Sequence, residues 1–325
     1  ENPVVRERVE AIIARVMKDG DEALRQLSRE IDGVEMTDLR VSADEIKEAC
    51  RAVSPEVKDA VRAAAANICA FHKAQLPAPV KVETAGGVSC WQKPVPIQRV
   101  GLYIPGGTAP LFSTVLMLAL PAKVAGCPEI VLCTPVSRTS GKVAPEVLYA
   151  ASFCGVDKIF KVGGAQAVAA MAYGTASVPK VDKIFGPGNQ YVTTAKQLLG
   201  NRAVAIEMPA GPSEVMVMAD DTAVPAFVAA DLLSQAEHGA DSQVMLVCSS
   251  EAIATAVNAE VERQSTVLGR AEFVEKALQK SRALVFGNRK DMIDFANAYG
   301  AEHLIISMAE PWSIADDIVA AGSVV

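Results

Sequence analysis

The chain has 325 residues, half of them apolar and 21% charged, which excludes both a lone small module and an overall disordered chain. Thirty-one Lys and Arg against 38 Asp and Glu leave a formal charge of −7, which argues against nucleic acid as a partner, because phosphate neutralisation needs clustered positive charge. Seven cysteines, at 50, 69, 90, 127, 133, 154 and 248, contain no CxxC pair and sit in apolar stretches, so they read as reduced thiols and point to the cytoplasm. The chain opens on Glu rather than Met and closes on an apolar run without a cap, which reads as a piece of a longer protein.

In chain order, residues 1–75 read as helices. Val9, Ile12, Ile13 and Val16 form one apolar stripe, and the Ala-rich segment from Pro55 to Phe71 forms another. The N-terminal stretch alternates charge with apolar residues at helical spacing and has no secretory apolar core. Pro77 to Pro96 is richer in Pro, Gly and Val and predicts a short strand or hairpin before a boundary near residue 100. The uncharged run Val100–Ala122 is long enough to span a bilayer, but Pro105, Gly106, Gly107 and Pro110 break its first half, so no membrane span is expected.

From Arg99 the pattern becomes strand, glycine turn, helix. RVGLYIPGG leads into STVLMLALPAKVAG, EIVLCTPV precedes a helix near Val143–Cys154, KIFKVGG leads into AQAVAAMAYG, and KIFGPGN into QYVTTAKQLLG. A second series follows, with strands at 214–220 and 242–250, a long helical stretch at 251–279, then ALVFGN, a helix at 290–299, and HLIIS. Such alternation predicts parallel sheets covered on both faces. The fold class is therefore α/β, with two doubly wound Rossmann-like domains whose parallel sheets face a cleft, plus N-terminal helices. Ligands of such folds bind at the carboxyl ends of strands.

Three strand ends carry glycines, Gly106-Gly107, Gly163-Gly164 and Gly186-Pro-Gly188, each before a helix whose first amides suit a phosphate. The GxG of GPGNQY lacks a third glycine, and the acidic partner of the usual dinucleotide fingerprint is not evident. Tight turns also need glycine without any ligand, so both readings stand. Of three histidines, His72 follows a helical stripe and reads as a bystander. His238 shares a helix face with Gln235, three residues earlier, which suits either one binding site or a helix end. His303 directly follows Glu302 where a helix gives way to a strand; an adjacent carboxylate and imidazole can divide proton work or simply cap and pair.

Taken together, GLYIPGGTAPLFSTVLM (101–117), VGGAQAVAAMAYGT (162–175), GPGNQYV (186–192), PAGPSEV (209–215), SQAEHGADSQ (234–243) and AEHL (301–304) resemble histidinol dehydrogenase, in order and over nearly the whole chain. The resemblance implies a zinc-dependent, NAD-linked oxidation of L-histidinol through the aldehyde to L-histidine, the last step of histidine biosynthesis, in a homodimer. It implies that Tyr103, Gln166 and Asn189 contact NAD. Ser213, Gln235, His238 and His303 would contact substrate, with Gln235 and His238 also ligating zinc, and Glu302 and His303 would be the acid/base pair. It further implies a first domain made of 1–102 and 214–325, with 103–213 inserted as the NAD-binding domain. The family's two further zinc ligands, an Asp and a His, have no counterpart in this sequence, so weak zinc binding and incomplete activity are expected.

Three alternatives stay open at this stage. One is a family relative oxidising another small alcohol such as sulfopropanediol. Another is a thiol-dependent aldehyde dehydrogenase using Cys127, Cys133 or Cys154, whose apolar surroundings argue against it. The third is a non-catalytic NAD-binding fragment.

Overall fold

The computed structural model describes residues 2–106, 110–200, 202–208 and 214–325. The contacts divide into two compact units, residues 1–210 and 211–325. Among the described residues, no helix is long and apolar enough to cross a membrane.

The first unit opens with α1 (Pro3–Leu27), whose first turn is capped by the Asn2 side chain and whose apolar stripe Val5, Val9, Ile13 and Val16 is buried. It ends in a π-helical turn, Ser28–Asp32, stopped by Gly33 in the left-handed region at φ 70°. A reciprocal Ser42/Glu45 capping box starts α2 (Ala43–Ala52), and Ser54 caps α3 (Pro55–Ala74). Strands β1 (Val80–Ala85) and β2 (Val88–Gln92) form an antiparallel hairpin exposed along its whole length.

Then come β3 (Arg99–Tyr103), α4 (Phe112–Val124), β4 (Glu129–Cys133), α5 (Pro145–Phe153) and β5 (Lys158–Phe160). They are followed by α6 (Gly164–Tyr173), β6 (Lys183–Phe185), α7 (Gln190–Gly200) and β7 (Ala205–Ile206). The five strands are parallel in the order β5-β4-β3-β6-β7. Side chains alternate between the two faces as the strand period of two requires. Val131, Cys133 and Phe160 pack with α1, α6 and α7, whereas Val100, Leu102 and Leu132 pack with α3, α4 and α5. Helices α1 and α3 bury their apolar faces in the two cores that flank this sheet.

The second unit comprises β8 (Glu214–Ala219), α8 (Pro225–Ala236), β9 (Gln243–Cys248), α9 (Glu251–Ser265), α10 (Ala271–Lys280) and β10 (Arg282–Val285). It continues with α11 (Arg289–Tyr299), β11 (His303–Ser307), α12 (Trp312–Ala315) and β12 (Ser323–Val324). Its parallel order, β10-β9-β8-β11-β12, repeats that of the first unit. Helices α8, α9 and α10 cover one face and α11 the other. The single helical stretch expected over 251–279 is two helices, because the chain leaves helical hydrogen bonding after Ser265 and turns through Gly269 before α10.

Candidate active site

In the first unit the sequence-predicted residues stand at the carboxyl edge of the parallel sheet, where β3 and β6, the first and fourth strands of that sheet, are neighbours. Tyr103 closes β3 and is almost wholly buried; its Oη accepts a hydrogen bond from the Gly164 amide at 3.0 Å. Burial pushes its hydroxyl up to about 12, so it stays protonated with that proton free to donate. Asn189 uses Oδ1 to accept from the amides of Tyr191 (3.0 Å) and Val192 (3.2 Å), capping α7 and leaving its Nδ2 group available. Gln166, on the first turn of α6, is 2% exposed and its side chain makes no hydrogen bond among the described residues. All three line one cleft of about 1030 Å³. Gly107 and Ser213 lie outside the described residues.

The glycine turns are explained first by packing. Gly186 has φ 129°, and a Cβ there would come within 2.0 Å of the Tyr103 carbonyl oxygen. A Cβ on Gly163 would meet Pro135 at 2.6 Å. The expected phosphate seats are also partly occupied from within, since Tyr103 takes the Gly164 amide and Asn189 takes the first amides of α7. The turn before Asn189 is held by a pair that sequence reading missed. Lys196 Nζ donates to the Gly186 carbonyl at 2.8 Å and to Glu207, while Glu207 Oε1 accepts from the Gly186 amide at 3.0 Å.

In the second unit the candidates occupy the opposite edge, at the amino ends of the strands. The carboxyl-end expectation does not describe where these candidates stand: helices run back against the strands, so the end of α8 and the starts of β8, β9, β11 and β12 share one side. His303 is the first residue of β11. Its Nδ1 lies 2.8 Å from Ser323 Oγ, and that hydroxyl in turn lies 3.5 Å from the Glu302 carbonyl. If the serine donates to the carbonyl, it accepts Nδ1–H, and Nε2 keeps the lone pair a base needs. Glu302 Oε1 lies 3.7 Å from Nε2, and Oε2 accepts from the Glu214 amide at 3.3 Å. Burial, then the nearby Glu302 charge, raises the Glu214 carboxyl above its ordinary value.

Gln235 is buried on α8, and its side chain has no hydrogen bond among the described residues. His238, just past the helix end, is exposed, with Nδ1 2.8 Å from the Ser234 carbonyl. Nδ1–H therefore donates there and Nε2 is left free, the tautomer of a metal ligand. Two such donors fall short of a closed zinc set, and among the described residues no three His, Cys, Asp or Glu side chains cluster as a metal site. These residues therefore do not by themselves fit zinc.

His72 stands near the end of α3, edge-on to Phe71. Cys127, Cys133 and Cys154 are buried free thiols, and burial raises all three, Cys154 to about 12. A thiol held protonated is a poor nucleophile, which disfavours the thiol mechanism.

The repeated strand order is that of doubly wound dinucleotide-binding α/β proteins. A family model described as histidinol dehydrogenase matches residues 1–325. A histidinol dehydrogenase of Bacteroides fragilis is 57% identical over 316 residues, which cover 97% of this chain and 74% of that protein. One from Yersinia pestis is 54% identical over 97% of this chain and 71% of its own length. The crystal structure of histidinol dehydrogenase from Elizabethkingia anophelis superposes with a TM-score of 0.95 at 49% identity, covering 98% of this chain and 74% of that one. An NAD-dependent aldehyde dehydrogenase from Sinorhizobium meliloti, at 14% identity and a TM-score of 0.51, covers 98% of this chain and 80% of its own and shares the fold alone. The chain belongs to the histidinol dehydrogenase family, whose members are oxidoreductases.

Proposed function

We propose that this protein oxidises L-histidinol through the aldehyde to L-histidine with NAD as hydride acceptor, as its family membership supports. Segment 103–213 serves the cofactor, with Tyr103, Gln166 and Asn189 as its contacts. NAD supplies, when bound, the oxidant for each of the two hydride departures from the substrate's alcohol carbon. The chain's own groups do the rest. His303 Nε2 removes the hydroxyl proton, held to that task by the Ser323 bond on its other nitrogen. Glu302 then takes a proton from the water that attacks the aldehyde carbon, forming the hydrate from which the second hydride leaves.

Ser213, Gln235, His238 and His303 contact the substrate. Gln235 and His238 offer zinc two donors, so zinc held by them alone would bind weakly and is assigned no step here. Metal analysis after purification without added zinc checks this. Less than one ion per chain is expected, and one tightly held ion would show that further donors complete the set.

The protein acts in the cytoplasm, consistent with seven cysteines free of disulfides. It acts as a homodimer, a reading supported by the exposed Val80, Val82 and Trp91 of the β1–β2 hairpin, which is too small to be stable alone.

The observation that carries the proposal is the head of β11, where a tethered imidazole and a carboxylate adjoin. Histidinol-dependent NADH formation tests it, with two NADH expected per histidinol consumed. NADH formation from other small alcohols but not from histidinol would overturn the substrate assignment.

A further inference from the structure

In a sheet of this order the dinucleotide crosses the edge between the first and fourth strands, and an acid beyond the second strand takes the adenosine ribose diol. Here β4 is the second strand, and the residues that follow it, Thr134 to Arg138, contain no carboxylate. The cleft nevertheless has two, both on the π-helical turn after α1. Glu30 is engaged by Arg15 through two hydrogen bonds of 2.7 and 2.9 Å. Asp32 is half-buried, and its side chain makes no hydrogen bond or ion pair among the described residues. Its turn is fixed beside the loop after β4, because Arg138 Nη2 donates to the Ile31 carbonyl at 3.1 Å. Burial raises the Asp32 carboxyl, with Arg138 opposing, which is the condition of a carboxylate short of donors. A π-turn at a ligand cleft is a recurrent functional device.

We propose that Asp32 supplies, from the N-terminal helical segment, the acid missing after β4: it accepts the hydroxyls of the cofactor's adenosine ribose and so selects NAD over its 2′-phosphorylated form. The proposal rests on the reading that this cleft holds the dinucleotide. A ribose diol offers two O–H donors to the two carboxylate oxygens. A 2′-phosphate removes one donor and sets negative charge against negative charge. Arg138, on the same cleft wall, would favour that phosphate, so the discrimination falls to Asp32.

Titration of the full chain with NADH and with NADPH, read by ligand fluorescence without turnover, tests it. Wild type is expected to bind NADH at least about tenfold more tightly than NADPH, the scale of a charged hydrogen bond. Asp32→Asn should weaken NADH and bring the ratio of the two affinities close to one. Adding Arg138→Met should remove whatever NADPH affinity was gained. Asp32→Ser serves if Asn disturbs the turn, and thermal melts confirm that each variant is folded. An unchanged ratio in folded Asp32→Asn or Asp32→Ser overturns the proposal. Gln166→Leu separates the two levels. If it weakens NADH while the Asp32 variants leave the ratio intact, only the role of Asp32 falls. If neither position affects NADH, or NADH does not bind, the cleft is not the cofactor site and both readings fall.

Discussion

The backbone amide of Glu214 donates to Glu302 Oε2 at 3.3 Å, tying the carboxylate that precedes His303 to the first residue of the neighbouring strand. One carboxylate oxygen is thereby anchored while the other stays 3.7 Å from the His303 ring, so the two groups keep a fixed orientation without consuming each other.

That orientation predicts separable defects. His303→Asn should slow the first hydride step by about 10²–10⁴-fold, the usual worth of a positioned acid or base. Glu302→Gln should leave that step nearly intact and impair aldehyde oxidation on a similar scale. Single-turnover kinetics started from histidinol and from histidinaldehyde distinguish the two. Equal effects of both changes on both half-reactions would refute the division of labour.

Ser323→Ala removes the partner of His303 Nδ1. The ring then loses its tautomer preference, and the first hydride step should fall by about 10-fold, the lower end of what an orienting partner contributes. Thermal stability should change little. Ser323→Thr, which restores the hydroxyl, should recover most of the rate, and an unaffected rate in the alanine variant would show that the contact is incidental.

Lys196 is buried against Glu207 and the Gly186 carbonyl. Lys196→Met should destabilise the first unit by about 3–5 kcal/mol, because it strands a partly buried carboxylate. Glu207→Gln keeps an acceptor for the Gly186 amide but leaves the ammonium without a counter-charge. The double variant is therefore expected to be less destabilised than the sum of the singles. Urea unfolding measures all three, and strict additivity would deny the coupling.

The raised Glu214 carboxyl gives a pH-dependent prediction. A carboxyl whose proton binds more tightly in the folded state contributes stability below its unfolded pKa and loses it as pH rises through the folded value. Glu214→Gln removes that loss. The melting temperature of the variant minus that of the wild type should therefore grow between about pH 4 and pH 8, the range bracketing an ordinary and a raised carboxyl. A difference that is flat or shrinks would contradict the partly buried, charge-opposed setting of Glu214.

The strands and helices were legible because apolar strand, glycine turn and helix recur with little interruption from Arg99 onward. The family was legible from ordered blocks such as SQAEHGADSQ. Less visible were relationships set by distant pairing. Arg138 reaches Ile31 across more than a hundred residues, and nothing in the local pattern places Asp32 on the cleft wall. Ser323 likewise meets His303 only because β12 pairs with β11. Alternation can identify His303 as heading a strand, but the carboxyl-edge expectation does not anticipate the amino edge on which Gln235, His238 and His303 stand. The break after Ser265 did leave a signal, Gly269, outweighed by helix-forming neighbours on either side.

The latch on Glu302 has a twin. In the first unit Asp182, just before β6, accepts from the amide of Arg99 at 2.9 Å, as Glu302, just before β11, accepts from that of Glu214. In both cases an acid preceding the fourth strand grips the first residue of the first strand, and the Asp182 latch has no proposed part in the reaction. Glu302 thus inherits an architectural duty that would exist without any substrate. A charge-removing change that also shortened the side chain would loosen the scaffold and the chemistry together, and would exaggerate what the carboxylate does to the reacting molecule.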